Sequence, residues 1–213
     1  MQTTGISRSI EARLLPAVLT AILLLCLSAA AARAEDKKSK SLELFFGPTG
    51  GTVWYFIFDD DVEEFRMPPH WAYGAHIVKI WHFSWSRNMA LEGTYLHSQG
   101  DGEVERLDGS TYSIDLTADQ ALLKVAYFFP QARISPYIAG GFGATYFRYQ
   151  ESDTDDKIKE WSFTMGAGAG MDIQLVKHWT IGPSVRVYQI FPKEIAQNWI
   201  TGASIQVRTS AKF

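Results

Sequence analysis

From Trp161 to Leu175 the chain alternates strictly. Trp161, Phe163, Met165, Ala167, Ala169, Met171, Ile173 and Leu175 stand on one parity, and Ser162, Thr164, Gly166, Gly168, Gly170, Asp172 and Gln174 on the other. A period of two puts the two sets on opposite faces of an extended strand. A run of fifteen residues is too long for the average strand of a soluble domain but suits one that crosses a bilayer at a tilt. The rule recurs at the end of the chain, where Ile205, Val207, Thr209, Ala211 and Phe213 oppose Ser204, Gln206, Arg208, Ser210 and Lys212. It recurs again where Trp179, Ile181, Pro183, Val185 and Val187 oppose Thr180, Gly182, Ser184, Arg186 and Tyr188.

Five weaker segments bring the expected number of strands to eight. They run within 42–56, with Gly47-Pro48-Thr49-Gly50-Gly51 as a kink, and over 71–80, 89–97, 112–127 and 134–149. In the fourth strand the parity slips near Asp119, which suggests a bulge. No helical pattern interrupts the series.

Alternation alone does not say which face is outside, because a soluble lipocalin-like barrel also alternates. Three features turn this barrel inside out. Connections after the first, third, fifth and seventh strands (57–70, 98–111, 150–157 and 191–198) are long or polar, whereas those at 81–88, 128–133 and 176–178 are short. Aromatic residues gather at both strand ends: Trp81, Phe83, Trp85, Phe128, Phe129, Trp179 and Phe213 at the short turns, and Trp54, Trp71, Tyr73, Tyr146, Trp161, Phe191 and Trp199 at the long loops. Two such belts match the two lipid–water interfaces. The polar parity carries Glu92, Lys124, Arg186 and Arg208 among many glycines, as a narrow lumen requires, and these four are expected to form an interior charged network.

The chain also ends on an aromatic residue, Phe213, after an alternating strand. Together with Ser135-Pro136-Tyr137-Ile138-Ala139-Gly140-Gly141-Phe142-Gly143, this resembles the eight-stranded outer-membrane barrels related to the OmpA and OmpX barrels. The resemblance covers the mature chain and lies mostly in pattern. It implies an all-β fold, an eight-stranded antiparallel up-and-down transmembrane β-barrel in the bacterial outer membrane. It also implies that Phe213 is the assembly signal read by the barrel-assembly machinery.

Export is written at the other end. Arg8 and Arg13 precede an almost continuously apolar stretch over 14–32, and Ala32-Arg33-Ala34 supplies a cleavage site before Glu35-Asp36-Lys37-Lys38. This is the order of a secretory signal peptide. A permanent membrane helix fits less well because the signal pattern is met in full, and a lipoprotein anchor fails because Cys26 follows Leu23-Leu24-Leu25 rather than a small residue. The expected organisation is a signal peptide over 1–34, a periplasmic lead-in over 35–40 and the barrel over 41–213. Losing 1–34 removes three arginines and one glutamate, so the net charge goes from −3 to −5 on 179 residues without cysteine. Without cysteine the exported chain has no disulfides, and its acidic balance argues against nucleic acid as a partner.

Residues that carry chemistry are sparse. Gly166-Ala167-Gly168-Ala169-Gly170 lies inside a strand with no helix after it, so it is no nucleotide loop. His70, His76, His82, His97 and His178 show no zinc-site spacing, and neither cofactor nor metal centre is expected. Acidic loop residues, Asp59, Asp60, Asp61, Asp153 and Asp155 above all, lack EF-hand spacing and read as solvated charge or loose contacts to divalent cations at a lipopolysaccharide surface. The expected partners are outer-membrane lipid and lipopolysaccharide.

The expected role is structural, surface-interacting or that of a very small pore, and not enzymatic. The alternative is a lipid A acyl hydrolase resembling the deacylase barrels, which use Ser, His and Glu on the lipid-facing wall and carry an H-x-S-N motif. The nearest match here, His82-Phe83-Ser84, continues with Trp85 and falls at a short turn, and His97-Ser98 lacks the motif.

Overall fold

The computed structural model describes residues 43–58, 62–81, 88–129, 133–151, 157–176, 178–193 and 199–212. The described residues form nine strands: β1 Glu43–Phe58, β2 Val62–Arg66, β3 His70–Trp81, β4 Met89–Arg106, β5 Thr111–Phe128, β6 Ile134–Glu151, β7 Lys157–Val176, β8 Trp179–Phe191 and β9 Trp199–Lys212. Eight of them close into an antiparallel barrel, each pairing with its neighbours in the chain and β9 pairing with β1. Closure leaves no lipid-facing edge of unpaired backbone, the condition for strands to span hydrocarbon. The ninth element, β2, is a short strap that pairs with Glu103–Arg106 at the top of β4.

The alternation sorts the side chains as its chemistry requires. On β7, Phe163, Met165, Ala167 and Ala169 are exposed on the outer wall, and Ser162 and Thr164 are buried inside. Outward residues form an apolar band. Trp71, Tyr73, Trp161 and Phe191 ring it at the long-loop end, and Phe129 and Trp179 at the short-turn end. Phe128, expected in the lower belt, instead points inward against Tyr137, because it has the parity of Lys124 and Ala126.

β4 runs furthest past its sequence-based limit, to Arg106 rather than residue 97. β4 and β5 continue in register through Glu105↔Thr111, so most of the expected loop over 98–111 is strand and only a tight turn at 107–110 remains. The parity slip at Asp119 is not a bulge. Asp119 pairs with His97 on one side and Tyr146 on the other in unbroken register. What changes there is the surroundings. Below Asp119 the outward residues are Ala121, Leu123 and Val125; above it they are Thr117, Asp115 and Ser113, while Leu116 and Ile114 turn inward. The barrel wall rises out of the apolar band at this level, and beyond it the strands follow the soluble rule, apolar inside and polar outside.

The Gly47–Gly51 stretch likewise stays within the sheet, with the same β1–β9 register at Phe46↔Ala211 and Thr49↔Arg208. Here glycine serves close backbone approach. A Cβ on Gly47 would lie 1.7 Å from the Thr209 carbonyl oxygen, and one on Gly51 would lie 2.0 Å from that of Ile205.

Candidate functional site

The lumen is filled in three layers. At the top, Val53, Leu96, Ile114, Leu116, Phe147 and Ile190 belong to one buried apolar cluster. At the bottom, Val78, Ala90, Ala126, Phe128 and Tyr137 form another. Charge lies between them. Glu92, on β4, has no exposed surface and receives Lys124 Nζ from β5 and Arg186 Nη2 from β8, each at 2.9 Å from its Oε1. Arg208 Nη1, from β9, lies 3.3 Å from Glu92 Oε2. Thr94 donates a further hydrogen bond to Oε1 at 3.0 Å.

The parity argument placed these four charged side chains on the inner face, and the structure brings them together around one carboxylate. Parity did not reveal their remaining partners. Asp172 of β7 accepts a fork from Arg208, Nε to Oδ1 at 3.0 Å and Nη2 to Oδ2 at 2.8 Å. Tyr137 lies under the same guanidinium, 4.2 Å from ring centre to Cζ. Asp172 stood on the polar parity of its strand, but its partner is more than thirty residues away in sequence and is set by barrel closure. Around this core, His76 Nε2 meets Ser210 Oγ at 2.8 Å, and Gln206 donates to the Tyr188 hydroxyl at 3.1 Å.

Three buried cations share two carboxylates here. Taking a charge out of water costs several kcal/mol per ion, so the arrangement holds only where each finds fixed partners. These contacts tie β4, β5, β7, β8 and β9 together across the lumen. Among the described residues no group of His, Cys, Asp and Glu is placed to hold a metal ion.

A second cluster sits on the outer wall, where the apolar band ends. Asp119 Oδ1 accepts from the Tyr95 hydroxyl at 2.7 Å and lies 2.7 Å from His97 Nδ1, and Oδ2 accepts from Arg148 Nη2 at 2.9 Å. Tyr73 packs on His97 with ring centres 5.1 Å apart, and Tyr146 packs on Trp161 at 4.9 Å. A His–Asp pair on a lipid-facing wall is one half of hydrolase machinery. The other half is not supplied by the neighbouring Ser98, which points into the barrel and hydrogen-bonds the Tyr55 hydroxyl at 3.2 Å. The third group on Asp119 is a phenol, not a serine. The sequence held one clue to this cluster, the parity change at Asp119, whose register partner is His97.

Asp59, Asp60, Asp61, Asp153, Asp155, Phe213, His82 and Ser84 lie outside the described residues, as do the expected signal peptide and lead-in.

Residues 18–213 match the family model described as the outer membrane protein beta-barrel domain. The fold is similar to that of Neisserial surface protein A, with 9% identity over 80% of this chain and 97% of that one and a TM-score of 0.53. It is similar also to Ail, the attachment invasion locus protein of Yersinia pestis, with 10% identity over 82% of this chain and 100% of that one and a TM-score of 0.53. No curated protein sequence matches the chain.

Proposed function

The chain belongs to the outer-membrane protein β-barrel family and is an integral barrel of the bacterial outer membrane, and from that premise we propose that it serves as a closed, non-enzymatic anchor presenting its raised outer wall at the cell surface. The observation that carries this reading is the charged layer, in which Lys124, Arg186 and Arg208 converge on Glu92 from three other strands with apolar layers above and below. An eight-stranded barrel has only enough room for its own side chains, and these fill it. The wall above the band, with Asp101, Glu103 and Asp115 exposed on β4 and β5 and Lys157 and Lys159 exposed on β7, is the part left to face the cell surface.

Planar-bilayer recording of the refolded protein tests the closed lumen. Traces without steady conductance are expected, and large porin-like steps would refute it. A second reading, a lipid A acyl hydrolase, draws on the His97–Asp119 pair at the membrane rim. Lipid A mass spectrometry of cells overexpressing the protein separates the two. Unchanged acyl content is expected of an anchor, and loss of an acyl chain would replace that reading with the hydrolase.

A further inference from the structure

We propose that Arg148, Lys157 and Lys159 form a binding site on the β6–β7 face for the phosphate groups of an outer-leaflet lipopolysaccharide molecule, whose acyl chains lie on the apolar wall directly below. The inference rests on the proposed presentation of the long-loop end at the cell surface.

The register brings the three cations together. Arg148 stands directly opposite Lys159, and Gln150 opposite Lys157, in the β6–β7 ladder. All four share the outward parity, while Phe147, Tyr149 and Glu160 turn inward. Like charges placed directly across a ladder repel each other. Arg148 is paired with Asp119, whereas among the described residues neither lysine has an ion-pair partner.

Arg148 is held in place rather than free to swing. Asp119 accepts from Nη2, and Asp119 is itself fixed by Tyr95 and His97. The arginine nonetheless keeps 47% of its side-chain surface exposed. A planar fork suits phosphate oxygens, and ammonium groups beside it add charge without demanding geometry.

The height of the site selects a lipid over a soluble anion. Immediately below the Arg148–Lys159 pair is the Tyr146–Trp161 pair, which marks the lipid–water interface. Below that the same two strands offer Ala144, Phe163, Phe142 and Met165, with Phe142 and Phe163 stacked at 6.4 Å. Cations above an aromatic step and an apolar track form a surface for an amphiphile with an anionic head. The adjoining β4–β5 face does not, since it carries Asp101 opposite Asp115 at the corresponding position above the band.

The test uses the mature chain in phosphatidylcholine nanodiscs doped with bisphosphorylated lipid A or with its dephosphorylated form, and native mass spectrometry to count retained lipid A. Folding is checked by heat-modifiable gel mobility. The parent should retain the bisphosphorylated lipid in preference, and retention should weaken about fivefold for each cation removed in Lys159→Gln and Lys157→Gln/Lys159→Gln, which leave the Asp119 cluster untouched. Asp101→Asn should behave as the parent. Equal retention of dephosphorylated lipid A, or a double variant matching the parent, would overturn the site. Displacement of the lipid by an equal phosphate concentration of inorganic phosphate would assign the cations to a soluble anion instead. Failure of the parent to insert at all would overturn the membrane orientation on which the site rests.

Discussion

Replacing Glu92 by glutamine removes one charge and almost no volume. The carboxylate is fully buried and stands within 2.9 Å of Lys124 and Arg186 and 3.3 Å of Arg208. In Glu92→Gln those three cations keep their places with Asp172 as the one remaining carboxylate, and Asp172 reaches only Arg208. Breaking a buried pair by neutralising one partner costs about 3–5 kcal/mol, and here a single substitution strands two cations, Lys124 and Arg186. The expected loss therefore lies in that range. The double variant Glu92→Gln/Lys124→Met removes one stranded cation while keeping a side chain of similar length. It should be more stable than the sum of its single changes, by a coupling of about 1–3 kcal/mol. The assay is urea-driven unfolding in lipid vesicles, followed by tryptophan fluorescence. A loss below about 1 kcal/mol, the worth of an exposed ion pair, together with strict additivity in the double variant would refute the claim that Glu92 organises the lumen.

Other perturbations test other parts of the wall. Ala169, on the outward parity of β7, should not tolerate charge: Ala169→Arg is expected to cost about 2–4 kcal/mol in the same unfolding assay. Gly47→Val would drive a Cβ onto the Thr209 carbonyl, so it should open the β1–β9 seam and appear as lost heat-modifiability and new protease cleavage near either strand. Leu116→Ala, in the apolar layer above the membrane, should cost about 2–5 kcal/mol by leaving a cavity, a penalty that a water-filled upper lumen would not produce. Deletion of Phe213 should leave export intact but lower the folded yield in the outer-membrane fraction. Equal yields would show that the terminal aromatic is not read during assembly.

Alternation of apolar and polar residues, read along the chain, determined that this protein is a barrel and that Glu92, Lys124, Arg186 and Arg208 stand on its polar parity. That follows because side-chain direction along a strand is a local property with a period of two. Local periodicity is blind to two things. It does not contain the height at which the bilayer ends, so the exchange of inner and outer chemistry at Asp119 looked like a bulge when it is the point where an unbroken strand leaves lipid. The same blindness ended the expected β4 near residue 97 rather than at Arg106, while Phe128 was expected in the aromatic belt against its own parity. Nor does local periodicity contain the register between strands distant in sequence. Arg208 meets Asp172, and Asp119 meets both His97 and Arg148, because closure of the sheet aligns strands whose relative offset is set by every turn and by the β1–β9 seam. That Glu92, Lys124, Arg186 and Arg208 face inward was decided by the sequence alone; what they touch was decided only when the sheet closed on itself.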